Sequence, residues 1–307
     1  MRDIWIIAEN PAWAAVMITG AKSVSADAKI VAFVNGDEAA AKEAAACGAS
    51  SAFALPLPAA AMWEGYAKPI AEKAKADGPA LIMASASRRG RDLAAQVAAL
   101  LDAPLFTDGR NISVNGDAVT AETMVYGGTG NKIASATAKT VLVTVGAKDY
   151  EPAPNTGNAG DVAAMSPAAA PRVTDRRPRP AQTVNLGEAA KVVSVGRGFA
   201  AESELAAARE LAAAIGAEVA CSRPIAEFFK WMPEECYVGI SGQVLKPDLY
   251  LAVGISGQAQ HVFGVREAKT IVSVNKDAEC PMNANADYYI VGDWKDVLPA
   301  IIKAAKG

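Results

Sequence analysis

The hexapeptide Val-Gly-Ile-Ser-Gly-Gln occurs twice in this chain, at residues 238–243 and again fifteen residues later at 253–258. The second copy follows Leu249-Tyr250-Leu251-Ala252-Val253, an apolar run of strand length with β-branched and aromatic members. Residues 259–265 then carry a short helical pattern, which puts Gly254 and Gly257 in a strand-to-helix turn. Glycines there let backbone N–H groups come close to a ligand, and such turns at the carboxyl end of a parallel strand are where open α/β sheets bind nucleotides. A turn whose glycines serve only close packing would look the same in the sequence. His261, the only histidine in the chain, lies one turn further on.

The first half of the chain alternates strand and helix. Residues 4–8, 30–34, 51–55 and 81–84 read as strands. Between and after them, helical patterns run over 11–24, 37–47, an alanine-rich stretch beyond Pro58, and 93–101. Gly48 suits a helix C-cap. The alternation predicts a parallel sheet with helices on both faces. Ser85, Ser87, Arg88, Arg89 and Arg91 gather before the last of these helices. They suit an anion, although a capped helix with a solvated basic face is the plainer reading. Residues 112–120 form a hairpin signal around Asn115-Gly116. Two further runs, 123–126 and 132–136, flank Gly127-Gly128-Thr129-Gly130 and suggest a second antiparallel pair, and 140–145 is a last strand. The glycine run is not a nucleotide-hydrolase loop, because Lys132 follows Asn131 and no Ser or Thr comes next.

Residues 149–180 are poor in aliphatic bulk and carry the basic cluster Arg172, Arg176, Arg177 and Arg179. They read as a linker between domains or an arm lying on some other surface. The expected organisation is therefore an N-terminal α/β domain over 1–148 with an antiparallel extension, a linker over 149–189, and a second domain over 190–307. In the second domain the strand patterns 191–195, 218–221, 249–253, 270–274 and 288–291 are each followed closely by polar residues. These are Arg197, Ser222 with Arg223, Ser256, Asn275, and Asp293, which can also cap a helix over 294–303. One ligand crossing the carboxyl edge of a doubly wound, Rossmann-like or flavodoxin-like sheet would account for all five.

Composition removes several function classes. A net charge of −3 gives no broad basic surface, so nucleic acid is not an expected partner. The 51% hydrophobic content is inflated by alanine, and the longest apolar runs are far too short for a membrane span. Cys47, Cys221, Cys236 and Cys280 form no Cys-x-x-Cys pair, so no zinc or iron–sulfur site is expected. With strand-like residues beginning at Ile4 and no signal-peptide pattern before them, a cytoplasmic protein is expected.

Three chemistries compete for the turn. Gly196-Arg197-Gly198-Phe199-Ala200-Ala201 satisfies a dinucleotide fingerprint, and Glu218 lies 22 residues past Gly196. An NAD(P)-dependent oxidoreductase using Gly196-Arg197-Gly198 is therefore the alternative, although Glu218 falls at the start of its strand, where the ribose-binding acid belongs at the end. Hydrolysis is weaker, since Gly254-Ile255-Ser256-Gly257-Gln258 lacks the final glycine of a nucleophile elbow. A flavin accounts for more residues. Reduction brings negative charge to its N1 and O2 positions, so Arg223 could raise the potential, with His261 as a second donor. The Ser241 hydroxyl suits the ring nitrogen N5, and glycine N–H groups suit the pyrophosphate.

The stretch 249–261, Leu-Tyr-Leu-Ala-Val-Gly-Ile-Ser-Gly-Gln-Ala-Gln-His, followed by Thr270-Ile271-Val272-Ser273-Val274-Asn275-Lys276-Asp277, closely resembles the signature of the electron transfer flavoprotein α subunit. Val193–Gly198, Ala220–Pro224, Tyr237–Ser241, Ser87–Gly90 and Met124–Gly128 are similar to the branch linked to nitrogen fixation and carnitine reduction. The resemblance spans nearly the whole chain. It implies an FAD-binding subunit in a heterodimer with a β subunit, carrying electrons between partners such as an acyl-CoA-type dehydrogenase and a quinone oxidoreductase. Some relatives bifurcate electrons with a second FAD held mainly by β. Motif matching puts Arg197, Ser222, Val238, Gly239, Ile240, Ser241, Ser256, Gly257, Gln258, Ala259, Gln260, His261, Asn275, Asp293 and Trp294 on cofactor-contacting positions. Arg223 falls on the arginine that lies against the isoalloxazine ring. Two departures stand out: Ile240 and Ser241 replace Gln and Thr, and Val195 replaces the first glycine of Gly-Gly-Arg-Gly. No catalytic residue is implied.

Overall fold

The computed structural model describes residues 3–306, apart from 59–60, 127–128, 158–159, 169–172 and 176–185. The chain divides into two compact units, Met1–Arg177 and Pro178–Gly307.

The first unit alternates β1 (Ile4–Ala8), α1 (Pro11–Val24), β2 (Ile30–Asn35), α2 (Glu38–Ala46), β3 (Ser51–Leu55), α3 (Ala67–Asp77), β4 (Leu81–Ser85) and α4 (Arg88–Leu101). Along β1 every residue is buried. Successive side chains point to opposite faces, so Ile4, Ile6 and Ala8 join the core beneath α1 and α2, whereas Trp5 and Ile7 join the core beneath α3 and α4. Ser87 caps α4 through a 2.9 Å bond from the Gly90 N–H, and Arg91 pairs with Asp108 at 2.7 Å. Ser87 and Arg91 therefore serve the helix and its neighbour, and the Ser85 hydroxyl accepts from the Glu9 N–H.

Beyond β5 (Leu105–Phe106), strands β6 (Arg110–Asn115), β7 (Ala118–Val125) and β8 (Gly130–Thr137) form one antiparallel meander, with β7 shared by both pairs. Gly127 and Gly128 lie outside the described residues. The chain then returns through β9 (Val141–Val145) to the main sheet.

The expected linker needs correction. Residues 161–164 add a further strand, β10 (Asp161–Ala164), parallel to β3, giving the order β10-β3-β2-β1-β4-β9-β5. On the way there Ala153 is buried against the α1 side, and the Thr156 N–H and hydroxyl both reach the Ala46 carbonyl. A segment too poor in aliphatic residues to fold alone is held by pairing its backbone to a preformed edge. The arginines at 172, 176, 177 and 179 lie outside the described residues.

The second unit is built from β11 (Lys191–Val195), α5 (Leu205–Ile215), β12 (Glu218–Ser222), β13 (Tyr237–Val238), β14 (Leu249–Val253), α6 (Ala259–Phe263), β15 (Ile271–Asn275), α7 (Pro281–Ala284), β16 (Tyr288–Val291) and α8 (Trp294–Lys306). All its strands are parallel, in the order β13-β12-β11-β14-β15-β16. Numbered within the unit this is 3-2-1-4-5-6, the doubly wound dinucleotide order, and its switch point falls between β11 and β14. All four cysteines are buried free thiols, Cys47 in the first unit and the other three in the second. Among the described residues no helix is long and apolar enough to cross a membrane.

Candidate functional site

A cleft of about 980 Å³ opens at the carboxyl edge of the second sheet. Arg197, Ser222, Arg223, Ser256 and Asn275, from four different strand ends, all line it. So do Val238, Gly239, Ile240 and Ser241 of the first hexapeptide, and Gly257, Gln258, Gln260 and His261 of the second and its helix. Asp293 and Trp294 line a smaller neighbouring hollow of about 210 Å³ that shares Gly198, Gly254 and Asn275 with the main one. Ala259 is exposed at the start of α6 and lines neither.

The glycines do more packing than the sequence suggested. At the switch point the turns after β11 and β14 touch: the Gly198 N–H bonds the Gly254 carbonyl at 2.9 Å. A Cβ on Gly198 would lie 2.7 Å from Gly254 Cα, so the two turns can meet only as glycines. At Gly257, with φ +79°, a Cβ would lie 2.2 Å from the Met282 nitrogen. Close packing therefore requires these glycines, in turns that line the cleft. The two hexapeptides are neighbours as well, since the Ile240 N–H bonds the Gln260 carbonyl at 2.9 Å.

Beyond β12, Pro224 starts a single π-helical turn, Pro224–Phe228. Its missing N–H is one of the donors such a start leaves unpaired, so proline is tolerated there. The turn brings Glu227 back to Arg223, with Nε to Oε2 at 2.6 Å. That carboxylate pushes the pKa of the exposed guanidinium further up. The bond uses Nε and leaves the two Nη groups for other partners. The same turn exposes Phe228, and Phe229 stacks on Trp231 with centroids 4.6 Å apart, making an aromatic wall. The sequence reading missed this wall, although aromatics this close to a strand's carboxyl end were the available signal.

Other expected contacts also hold the framework together. Asn275 donates to the Ile255 carbonyl at 2.9 Å, and Trp294 donates to the Gly198 carbonyl at 3.0 Å while stacking on Phe199. Asp293 caps α8 as expected, accepting from the Lys295 N–H at 2.9 Å. The Ser241 carbonyl accepts from the Tyr237 hydroxyl at 2.7 Å. His261 is buried, with Nε2 2.8 Å from the Tyr250 hydroxyl and Nδ1 without a hydrogen-bond partner. Burial lowers its pKa to about 4, a drop only partly offset by the nearby Val238 carbonyl. A buried ring nitrogen with no well-aligned partner, on a residue that lines the cleft, fits a site completed by a ligand.

Residues 5–170 match the family model for the electron transfer flavoprotein domain, and residues 185–266 match that for the electron transfer flavoprotein FAD-binding domain. FixB of Escherichia coli O6:K15:H31 is 38% identical over 308 residues, covering 98% of this chain and 97% of that protein. FixB of Shigella flexneri matches to the same extent. The putative electron transfer flavoprotein subunit YdiR of Escherichia coli K12 is 40% identical over 243 residues, 78% of each chain. The FAD-binding match falls on the unit that carries the cleft, which decides for FAD over a nicotinamide dinucleotide. The chain belongs to the electron transfer flavoprotein α-subunit family, as an FAD-binding electron carrier and not an enzyme with a substrate of its own.

Proposed function

We propose that the cleft at the carboxyl edge of the second sheet holds the FAD, and that the chain works in a heterodimer with a β subunit. The observation that carries this is the convergence of Arg197, Ser222, Arg223, Ser256 and Asn275 on one edge, beside the unpartnered His261 nitrogen. When bound, FAD supplies the electron-accepting ring. The chain's own residues bind and tune it. In this reading the backbone N–H groups of Ser256 and Gly257 would take the pyrophosphate, since those of Gly196, Gly198 and Gly254 are already bonded to carbonyls of the sheet edge, and Arg223 would lend its Nη groups to the ring system. Ser241 and His261 supply hydrogen bonds at the ring edge, and Asp293 with Trp294 closes the far end of the dinucleotide.

Electrons would pass between a dehydrogenase of the acyl-CoA type and a quinone oxidoreductase. The exposed Phe228, Phe229 and Ile240 around the cleft support docking of a protein there. The cytoplasm suits such a carrier. Bifurcation requires a second FAD on the β subunit, so flavin stoichiometry of the purified heterodimer separates the two modes. One FAD per heterodimer supports simple transfer, and two support bifurcation. NAD(H) released on denaturation, with no flavin, would overturn the cofactor placement altogether.

The role given to Arg223 makes a signed prediction. A cation beside charge developing on the ring favours the reduced form, an effect that solvent screening of the exposed guanidinium weakens and does not reverse. Arg223→Ala should therefore lower the reduction potential of the bound FAD. Glu227→Gln should raise it, because the neutral amide no longer offsets the guanidinium charge. Arg223→Lys should recover only part of the loss, since an ammonium cannot lie flat along a ring. Spectroelectrochemical titration of the three variants checks the order, and unchanged potentials would leave Arg223 as a helix-turn ion pair.

A further inference from the structure

Behind the cleft wall two buried side chains of opposite hydrogen-bonding need meet. Tyr250, wholly buried on β14, brings its hydroxyl to 2.8 Å from His261 Nε2. A neutral imidazole has one N–H and one lone pair, so the partner of Nε2 decides which nitrogen keeps the proton. Burial keeps both groups in their neutral forms near pH 7, raising the phenol's pKa and lowering that of the imidazole.

The direction of the bond follows from what else the phenol can reach. Ser194 Oγ lies in the same buried neighbourhood on β11, but it makes no aligned hydrogen bond. Among the described residues, the Tyr250 proton therefore has one aligned acceptor, which is Nε2. In the reverse arrangement Nε2 would carry the proton and the phenol O–H would point at no aligned acceptor, at the cost of an unmade bond in the core. Nδ1 would then turn a lone pair toward the nearby Val238 carbonyl, where an N–H is the favourable arrangement.

We propose that Tyr250 is a positioning residue: its hydroxyl donates to Nε2 and holds His261, a residue that lines the cleft, as the Nδ1–H tautomer, so that the ring keeps a fixed N–H donor beside the Val238 backbone. The assignment rests on the reading of His261 as an FAD contact, and it extends that reading to the residue behind it. A protonated phenol does for the histidine what an outer hydrogen-bond partner does for a metal-binding or catalytic imidazole: it sets the tautomer and the ring orientation.

The single histidine makes the test direct. The full chain is labelled with nitrogen-15 at histidine, and the imidazole nitrogens are read by NMR between pH 6 and 8, with and without FAD. The wild type should show one neutral Nδ1–H species throughout, and Tyr250→Phe should shift the population toward Nε2–H. Tyr250→Phe should also weaken FAD binding by roughly five- to tenfold, the loss of one oriented hydrogen bond. That weakening should vanish when His261→Leu is already present, because Tyr250 acts through His261. An Nε2–H species in the wild type overturns the proposal, as does a tautomer that Tyr250→Phe leaves unchanged. If the tautomer shifts as expected but FAD affinity does not change in either background, the Tyr250 assignment stands and the reading of His261 as an FAD contact falls.

Discussion

Replacing Gly257 with alanine should destabilise the second unit by about 2–5 kcal/mol, from a residue forced into the left-handed region and a Cβ driven into well-packed backbone. The added carbon would sit 2.2 Å from the Met282 nitrogen and 2.4 Å from its Cα. Neither can swing away as a side-chain tip could. The displacement would also break the 3.1 Å bond from the Met282 N–H to the Ser256 carbonyl, which ties the second hexapeptide to the start of α7. Gly216 supplies the control. It has a similar φ of +66°, but a Cβ there would meet nothing within 4 Å. Gly216→Ala should cost only about 1 kcal/mol, the backbone share alone. Urea melts of the two variants measure the difference, and equal costs would show that the crowding at Met282 relaxes freely.

Acid should weaken the fold through His261. In the folded chain the imidazole titrates at about 4, against an ordinary 6.5 when unfolded. Above pH 6.5 both states are neutral and the histidine adds no pH dependence. As the pH falls from 6.5 toward 4 the unfolded chain takes up the proton first, so stability is lost across that window, amounting to about 3 kcal/mol in total. The paired variant Tyr250→Phe with His261→Leu removes the titration without leaving a buried hydroxyl unpaired. Its stability between pH 7 and 4.5 should fall less than that of the wild type by about 2–2.5 kcal/mol. Parallel slopes would place the acid sensitivity on other groups.

Much of this was legible because parallel sheets write themselves plainly. A fully buried strand such as Ile4–Ala8 shows as an unbroken apolar run, and the polar residues after β11, β12, β14, β15 and β16 stand where the backbone leaves the sheet. What stayed hidden depends on partners far apart in sequence. Asp161–Ala164 is a strand only because β3 offers an open edge; four small or polar residues carry no period of their own. The π-helical form of the turn at Pro224–Phe228 has no distinctive pattern, although the pairing of Arg223 with Glu227 could be read from their spacing of one turn and the aromatics at 228, 229 and 231 were in plain view. Tyr250 read as an ordinary strand residue. A tyrosine in a buried strand nevertheless needs a partner for its hydroxyl, and that need was the missed clue to His261.

The buried thiols give the protein a means of reporting its own opening. Every cysteine is closed off in the folded chain, so a thiol-reactive probe can label only molecules that have transiently opened. Cys47 lies in the first unit, while Cys221, Cys236 and Cys280 lie in the second, and Cys280 borders the cleft itself. Mass spectrometry of labelled peptides would therefore time the two units separately within one unmodified chain. Occupation of the cleft should slow labelling at Cys280 and leave Cys47 at its original rate, so the order in which the thiols disappear maps which part of the molecule the cofactor holds shut.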